Sequence, residues 1–491
     1  MTVLRETESH LEVFTDDKDV KYKIDNILSA YEPGHEMTPR YQSGRWDGKK
    51  RFYKTKLVKT GGLFFIIEKG FLQRLLDNIT FDEIDLDDIH KTDYMEYLKR
   101  VLPELPFKPY KHQLKAFVQF INNKRYFASM CTSSGKSLVA YLTLRYFWEH
   151  HKKSVLIVPV VSLTEQMFND FKEYNAPDDF MNDIKLIGGD NIDKNLTHNI
   201  IIGTYQSLIK VTHQMDSYDI ILNDETHLAS SDSLQKILQM PFSIKLGMTG
   251  SVPIIEVDLL SIIQIFGEPD FIIRARELMD MGLLTDSYII PMFLNYPKTA
   301  NKLGMRSGMK YQDEVKFIKE NPLRIEFNRK FLGALKGLTV ALYAHTEQGE
   351  TTYESLTGEK PKYNDFERMK ELGVFFVSGR TKSKIREQIR QYTNNIHQGI
   401  IIANYKVFST GINLPNINNI VFLSSTKSFV TVLQSLGRVF RLKQGKTKAM
   451  IYDLIDVFPY KKDKYSLNHF WQREGYYHQE RHKIIEKEIQ L

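Results

Sequence analysis

Two tandem α/β domains on parallel sheets, preceded by a small α+β module, are the fold class that three features of this 491-residue chain predict. Between about 101 and 270, apolar runs of four to seven residues alternate with helical segments, which is how parallel strands joined by crossover helices read in a sequence. The same alternation returns between about 339 and 455. The first hundred residues differ, with one stretch of helical period followed by two strand-like runs around a glycine pair.

The module, assigned to 1–100, opens with a strand near 10–14 and an amphipathic helix near 18–31. In that helix Val20, Ile24, Ile27, Leu28 and Tyr31 recur at helical spacing until Pro33 and Gly34 end it. RFYKTKLV and LFFIIEKG flank Lys59-Thr60-Gly61-Gly62, the pattern of a β-hairpin whose glycines accept positive φ. The first parallel-sheet domain, 101–270, takes its strands from YFASM (126–130), SVLIVP (154–159), NIIIGT (199–204), YDIILN (218–223) and FSIKLGM (242–248). The second, within 271–455, takes them from TVALYA (339–344), GVFFVS (373–378), GIIIAN (399–404), NIVFLS (419–424) and AMIYDLI (449–455). Residues 271–335 read as helical and connecting, and 456–491 as an aromatic, mixed-charge tail expected to pack on the domains before it.

At 42% apolar residues a chain of this length buries more than one core, and two to four domains are expected. Cys131 is the single cysteine, which excludes an internal disulfide and a cluster of thiolate ligands and suits a reducing cytoplasm. The N-terminal MTVLRETESHLEV has no apolar signal core, and runs such as LFFII (63–67) are too short to span a bilayer, so a soluble protein without a membrane partner is expected.

The net charge of +7 is mild for this length, but its distribution is uneven. Residues 36–62 carry Arg40, Arg45, Lys49, Lys50, Arg51, Lys54, Lys56 and Lys59 against Glu36 and Asp47, whereas 75–98 carry eight acids against Lys91. A basic module followed by an acidic connector is the expectation, and a solvated charged face the alternative.

MCTSSGKS (130–137) follows a predicted strand and opens the helix SLVAYLTLRYFWEHH, the setting that a phosphate-binding loop requires. There the backbone N–H groups of Thr132, Ser133, Ser134 and Gly135 and the helix N-terminus face phosphates, Lys136 reaches the β and γ oxygens, and the Ser137 hydroxyl can ligand Mg²⁺. The glycine usual at the position of Met130 is missing and Ser133 stands at a second glycine position, so Gly135 and Lys136 carry the signal. Taken alone, the stretch could be an ordinary strand-to-helix loop.

The strand YDIILN runs into Asn223-Asp224-Glu225-Thr226-His227, and a parallel sheet presents ligands at the carboxyl ends of its strands. Asp224 would hold Mg²⁺ opposite Ser137, and Glu225 would orient and deprotonate the water that attacks a γ-phosphate. A strand ending in two acids is by itself usually a solvated turn. Its pairing with a Gly-Lys-Ser loop about ninety residues earlier points to a nucleotide site.

NDETH resembles the DExH box of the superfamily-two helicases, and that family's other motifs follow in order over about 105–455. The resemblance implies two RecA-like domains that hydrolyse ATP with Mg²⁺. It implies an adenine contact for Gln113 in PYKHQLKAF, where His112 replaces the usual Tyr, and nucleic-acid contacts for Pro159 and Gln166 in VPVVSLTEQ and for Gly203 and Thr204 in IGTYQSL. His227, Thr249 and Ser251 would couple ATP to nucleic acid. QSLGRVFR supplies Gln434, Arg438 and Arg441 of motif VI, whose two arginines, three apart and so on one helical face, would reach the γ-phosphate. VFSTGINLP (407–415) resembles motif V, with Thr410 toward nucleic acid, Gly411 toward ATP, and Asn413 in place of the family's Asp. His345, after the strand at 339–344, is the motif IV candidate.

With YQSGRWDG (41–48) ahead of a basic strand, the series resembles the recombination helicases of tailed phages. That implies an ATP-dependent DNA helicase or translocase acting on branched DNA by branch migration, fork regression, and Holliday-junction and R-loop processing, in phage recombination, repair and replication. Forked or four-way DNA, an RNA–DNA hybrid, and recombination or single-strand-binding proteins are the implied partners, in the host cytoplasm. Arg45, Lys49, Lys50, Arg51 and Lys54 would neutralise phosphates, while Trp46, Phe52 and Tyr53 offer faces for stacking on unpaired bases. An ATPase that remodels protein–nucleic acid complexes and a DExH RNA helicase are the alternatives.

Overall fold

The computed structural model describes residues 1–57, 62–86, 94–189, 196–298, 311–405, 407–408, 416–424, 448–458 and 465–491. They form two units, one holding 1–130 and 134–273, the other 274–491 with the short stretch 131–133.

In the first unit seven parallel strands lie in the order Ile184–Ile187, Ile200–Thr204, Ser154–Val158, Ile220–Asp224, Ile244–Thr249, Arg125–Met130, Pro269–Ile273. Every residue of Ser154–Val158, Ile200–Thr204 and Ile220–Asp224 is buried, because helices cover both sheet faces, which is why these strands read as unbroken apolar runs. The two edge strands, short and partly exposed, are additions to the predicted set. The order brings three strand ends side by side: Asp224, Thr249 and the start of the loop after Met130.

The second unit is also a parallel sheet, in the order Val374–Val377, Gly399–Asn404, Leu338–Tyr343, Asn419–Phe422, Lys448–Val457, Asp286–Asn295. Its longest strands correct the reading of 271–335 as helix and connection, since Asp286–Asn295 pairs over ten residues with Lys448–Val457. The tail resolves into the helix Tyr465–Gln479 and the strands Lys483–Ile484 and Lys487–Gln490, both added to the outer side of Asp286–Asn295. Pro291 sits opposite the break between those two tail strands. The carbonyls of Ile289 and Asn295 accept from the tail, so Pro291 faces the same side, where its missing N–H costs no ladder bond.

The N-terminal module has a five-stranded sheet ordered Tyr53–Leu57, Leu63–Ile67, Leu11–Thr15, Thr2–Glu6, Glu83–Asp85, and Tyr53–Leu57 and Leu63–Ile67 form the expected hairpin. Three expectations change here. The helix stops at Ile27, and Ser29–Tyr31 turns into a strand. The basic run is divided, because Lys49–Arg51 pairs with Ser29–Tyr31 in a separate two-stranded sheet. The acidic stretch is built into the fold: Glu83–Asp85 pairs with Thr2–Glu6, flanked by the helices Leu72–Asn78 and Met95–Val101.

The module shares a core with the parallel sheet. The helix Glu256–Phe266 is apolar nearly all round because it is buried on two sides. Ile262, Ile265 and Phe266 enter the sheet core, while Val257, Leu260 and Ile263 pack with Leu4, Val13, Phe65 and Phe71 of the module. Gly70 permits the approach, since a Cβ there would stand 1.9 Å from the Ile263 carbonyl oxygen. Arg74 pairs with Glu268 at 2.6 Å, and Lys50 Nζ donates to Ser261 Oγ at 3.5 Å.

Candidate functional site

The loop after Arg125–Met130 reaches the helix Lys136–Glu149 through Gly135 at φ 83°. Ser133 also takes positive φ, 67°, so two left-handed residues make the turn without the glycine that Met130 replaces; Met130 itself is a buried strand residue. Gly135 is required twice over, because a Cβ would come 2.1 Å from Gln113 Nε2. Gln113 Nε2 donates to the Ser134 carbonyl at 3.0 Å while its Oε1 accepts from Tyr110 N at 2.9 Å. His112 Nε2 bonds the same carbonyl at 2.9 Å. Both side chains therefore brace the loop from the helix Lys111–Asn122. Thr132 is half-buried and Ser133 exposed.

Lys136 Nζ donates to the Met130 carbonyl at 3.3 Å, which holds the ammonium back over its own loop. Ser137 Oγ is bonded to the Tyr174 hydroxyl at 2.7 Å. Nothing in the sequence singles out Tyr174; it follows the helix Val161–Glu173, and burial raises its hydroxyl to about 12.

Asp224 ends the central strand and Glu225 turns out of it at φ 53°, a left-handed conformation held by the surrounding fold. Asp224 Oδ1 is buried and has no hydrogen-bond partner among the described residues. Burial and the adjacent Glu225 charge push the Asp224 carboxyl up to about 7, with Lys136 opposing. Burial pushes Glu225 upward too, but the Lys136 charge and a hydrogen bond from His227 outweigh it and bring it down to about 2. Asp224 thus holds its proton more tightly than an ordinary carboxyl and Glu225 less tightly.

The residues expected to couple the site form one hydrogen-bonded chain. His227 Nδ1 lies 3.3 Å from Glu225 Oε2 and 2.8 Å from Thr249 Oγ1. Thr249 Oγ1 lies 3.5 Å from Glu225 Oε2, donates to the Ser251 carbonyl at 3.1 Å and accepts from Ser251 N at 3.3 Å. The chain runs from the Glu225 carboxylate to Ser251, five residues before the helix Glu256–Phe266.

The other candidates are more scattered. Pro159 is half-buried and Gln166 exposed, beyond the strand Ser154–Val158. Gly203 and Thr204 are buried: a Cβ on Gly203 would meet Leu208, and Thr204 Oγ1 bonds Ser207 Oγ at 3.2 Å. His345 is exposed before the helix Thr346–Thr357, in an open groove of about 710 Å³ shared with Lys316, Lys319 and Arg380. In the module Arg45 and Lys54 are exposed, and Trp46, half-buried, donates to the Lys49 carbonyl at 3.0 Å. Lys49 lies over the Tyr31 ring and Lys50 over Phe52. Arg51 is occupied by Asp25 at 2.9 Å and Asp47 at 2.6 Å. Two proposed stacking faces are withdrawn: Phe52 is buried in the module core, and Tyr53 packs on Phe65 with its hydroxyl on Asp25. Lys59, Thr410, Gly411, Asn413, Gln434, Arg438 and Arg441 lie outside the described residues.

Residues 106–254 match the family described as the type III restriction enzyme res subunit, and 335–443 match the helicase conserved C-terminal domain. Over 455 residues the chain is 29% identical to the ATP-dependent DNA helicase uvsW of Enterobacteria phage T4, covering 89% of this chain and 86% of that protein. It is 24% identical over 387 residues to the type I restriction enzyme EcoKI endonuclease subunit of Escherichia coli K12, covering 67% of this chain and 32% of that protein. In fold it is similar to a fragment of a type I restriction enzyme HsdR subunit from Vibrio vulnificus, with a TM-score of 0.57 at 17% identity over 80% of this chain and 71% of that one. No helix among the described residues is long and apolar enough to cross a membrane. Two parallel-sheet domains, the phosphate loop and acidic pair at adjacent strand ends, and these matches make the chain a member of the superfamily-two helicases, an ATP-hydrolysing helicase that acts on nucleic acid.

Proposed function

We propose that this helicase drives branched DNA through migration, fork regression and junction or R-loop processing during phage recombination, repair and replication in the host cytoplasm. The observation that supports this reading most directly is the Asp224–Glu225 pair beside Lys136, in a chain that resembles the phage T4 uvsW helicase over most of its length.

Asp224 and Ser137 would hold Mg²⁺. An orphaned carboxylate oxygen and a hydroxyl suit a hard cation that keeps waters and phosphate oxygens as its remaining ligands, and no group of three or more His, Cys, Asp or Glu among the described residues could hold a metal. The ion, when bound, supplies positive charge to the β and γ phosphates. Glu225, ionised, accepts a proton as water oxygen bonds to the γ-phosphorus and the bond to the β-phosphate oxygen breaks, leaving ADP and phosphate. Lys136 leaves the Met130 carbonyl for the phosphates, and Arg438 and Arg441, with Gln434, stabilise charge on the transferred group. Gln113, Gly411 and the loop residues 132–137 contact the nucleotide; Pro159, Gln166, His345 and Thr410 contact the strand being tracked. Gly203 and Thr204 act through backbone and packing, since their side positions are buried.

The test is ATP turnover with single-stranded, duplex, forked and four-way DNA and with matched RNA duplexes, alongside migration of a mobile four-way junction. Stimulation should be greatest with branched DNA. Turnover indifferent to every DNA, or greatest with RNA, sinks the reading.

A further inference from the structure

The module carries an aromatic cluster that no part of its core uses. Tyr31 and His35 are stacked at 4.8 Å with 23° between their planes, and Tyr41 meets His35 edge-on, also at 4.8 Å. Tyr31 is 55% exposed and Tyr41 37%, whereas Phe52 and Tyr53 of the basic segment face inward and Trp46 is half-buried. Exposed rings of this kind usually swing freely. These are fixed. His35 Nδ1 is tied to the Glu32 carbonyl at 2.8 Å, and Gly48, at φ 83°, lies so close that a Cβ would come 2.3 Å from His35 Cδ2. Gly48 is thus packed against the imidazole, which touches both tyrosine rings.

Cations gather at the cluster, alongside the exposed Glu32 and Glu36. Lys49 Nζ lies 5.4 Å from the centre of the Tyr31 ring. Arg40 precedes Tyr41, Arg45 is joined to it by a hydrogen bond from its own N to the Arg40 carbonyl at 3.0 Å, and both guanidinium groups are exposed and without an acidic partner among the described residues. Fixed π-faces bordered by unneutralised arginines match a ligand with flat rings strung on a phosphate chain. A fully paired duplex keeps its base faces stacked inside, whereas a branch exposes them.

We propose that Tyr31, His35 and Tyr41 form a stacking surface for unpaired bases at a DNA branch, with Arg40, Arg45 and Lys49 on the adjoining phosphates. The inference rests on the DNA-directed reading above and adds a site to it. It places discrimination between branched and plain duplex DNA in π-stacking, and overall affinity in the cations.

The test uses the full chain with a single-stranded oligonucleotide, a fork with 2-aminopurine at the branch, and a blunt duplex. Tyr31→Ala and Tyr41→Ala should each weaken single-strand and fork binding by about tenfold, with blunt-duplex affinity changed less than about twofold. The 2-aminopurine signal at the branch should change on binding wild type and fail to do so with the alanine variants. Tyr31→Phe and Tyr41→Phe keep the π-face and should restore both readouts, while ATP turnover without DNA and the thermal midpoint stay at wild-type values. Wild type that binds no DNA overturns the proposed function and this site together. Wild type that binds, with alanine variants equal to it on all three DNAs or equally weakened on all three, overturns the stacking surface alone and leaves a contact to another protein as the better use of the rings.

Discussion

Both parallel sheets bury a pair of carboxylates near the end of a strand, and the two pairs are treated in opposite ways. In the first unit Asp224 keeps one oxygen without a partner among the described residues, and Glu225 is strained, ionised and held by the His227–Thr249 chain and the Gly250 backbone N–H. In the second, Asp453 accepts from Arg473 Nε and Nη2 at 2.8 and 2.9 Å and from the Tyr477 hydroxyl at 2.9 Å. Asp456 takes Arg324 at 2.9 Å and the Tyr296 hydroxyl at 2.8 Å. All four acids are buried or nearly so, and what separates them is saturation. A carboxylate whose lone pairs are filled by the protein fastens helices to a sheet; one left with acceptor capacity and a raised proton affinity is free to take a ligand.

Substitution on either side should break this contrast differently, and the largest effect belongs to the pair proposed as catalytic. Glu225→Gln should lower kcat for ATP by about 10²–10⁴-fold with ATP binding and thermal midpoint nearly unchanged, as steady-state turnover and filter binding would record. Lys136→Ala should lose binding and turnover together. If the saturated pair is architectural, Asp453→Ala should instead cost about 3–5 kcal/mol of stability, because Arg473 stays buried without the carboxylate it forks onto. Denaturant unfolding measures that, and an Asp453→Ala protein as stable as wild type would erase the distinction.

The pH dependence sharpens the same comparison. Asp224 is raised from the ordinary 3.8 to about 7, so the native state binds the proton more tightly than the unfolded chain does. Its contribution therefore destabilises progressively as pH rises from about 4 to 7, whereas Glu225, lowered to about 2, adds stability above its ordinary 4.5 that is lost as pH falls toward 2. Asp224→Asn should remove the decline between pH 4 and 7, an effect of a few kcal/mol at most. Thermal midpoints across that range in the absence of nucleotide would show it, and a variant with the wild-type slope would reassign the proton.

Two smaller effects separate module from motor. Gly70→Ala should cost about 1–3 kcal/mol by forcing a methyl into the Ile263 carbonyl, and cutting away 1–100 should expose Val257, Leu260 and Ile263 and leave a motor prone to aggregate. Soluble, active 101–491 would show that the shared core is dispensable. Among the cations, neutralising Arg45, Lys54 and Lys56 should each flatten the salt dependence of DNA binding by up to about 0.9 in the log–log slope. Arg51→Ala should leave that slope alone and weaken the module, since its charge is already taken by Asp25 and Asp47.

Local pattern alone placed ten strands of the two parallel sheets, nine of them interior, and the hairpin, because burial on both faces of a sheet leaves an unbroken apolar run in the chain itself. It placed the loop 131–135 between strand and helix and Asp224–Glu225 at a strand end as well, since a short motif at the end of such a run is a local object. Residues whose meaning depends on a distant partner escaped it. Asp286–Asn295 carries a proline that argues against a strand until the tail, nearly two hundred residues on, leaves a gap beside it. Glu256–Phe266 reads as one more crossover helix, though its second apolar face exists to receive the module. Tyr174 is an ordinary helix-end tyrosine until it meets Ser137, and AMIYDLIDV is an ordinary buried strand until Arg324 and Arg473 arrive from helices 132 and 20 residues away. A sequence encodes which groups leave water; which of them are then neutralised, and which are kept unsatisfied for a ligand, is decided by side chains that only the folded chain brings within hydrogen-bonding reach.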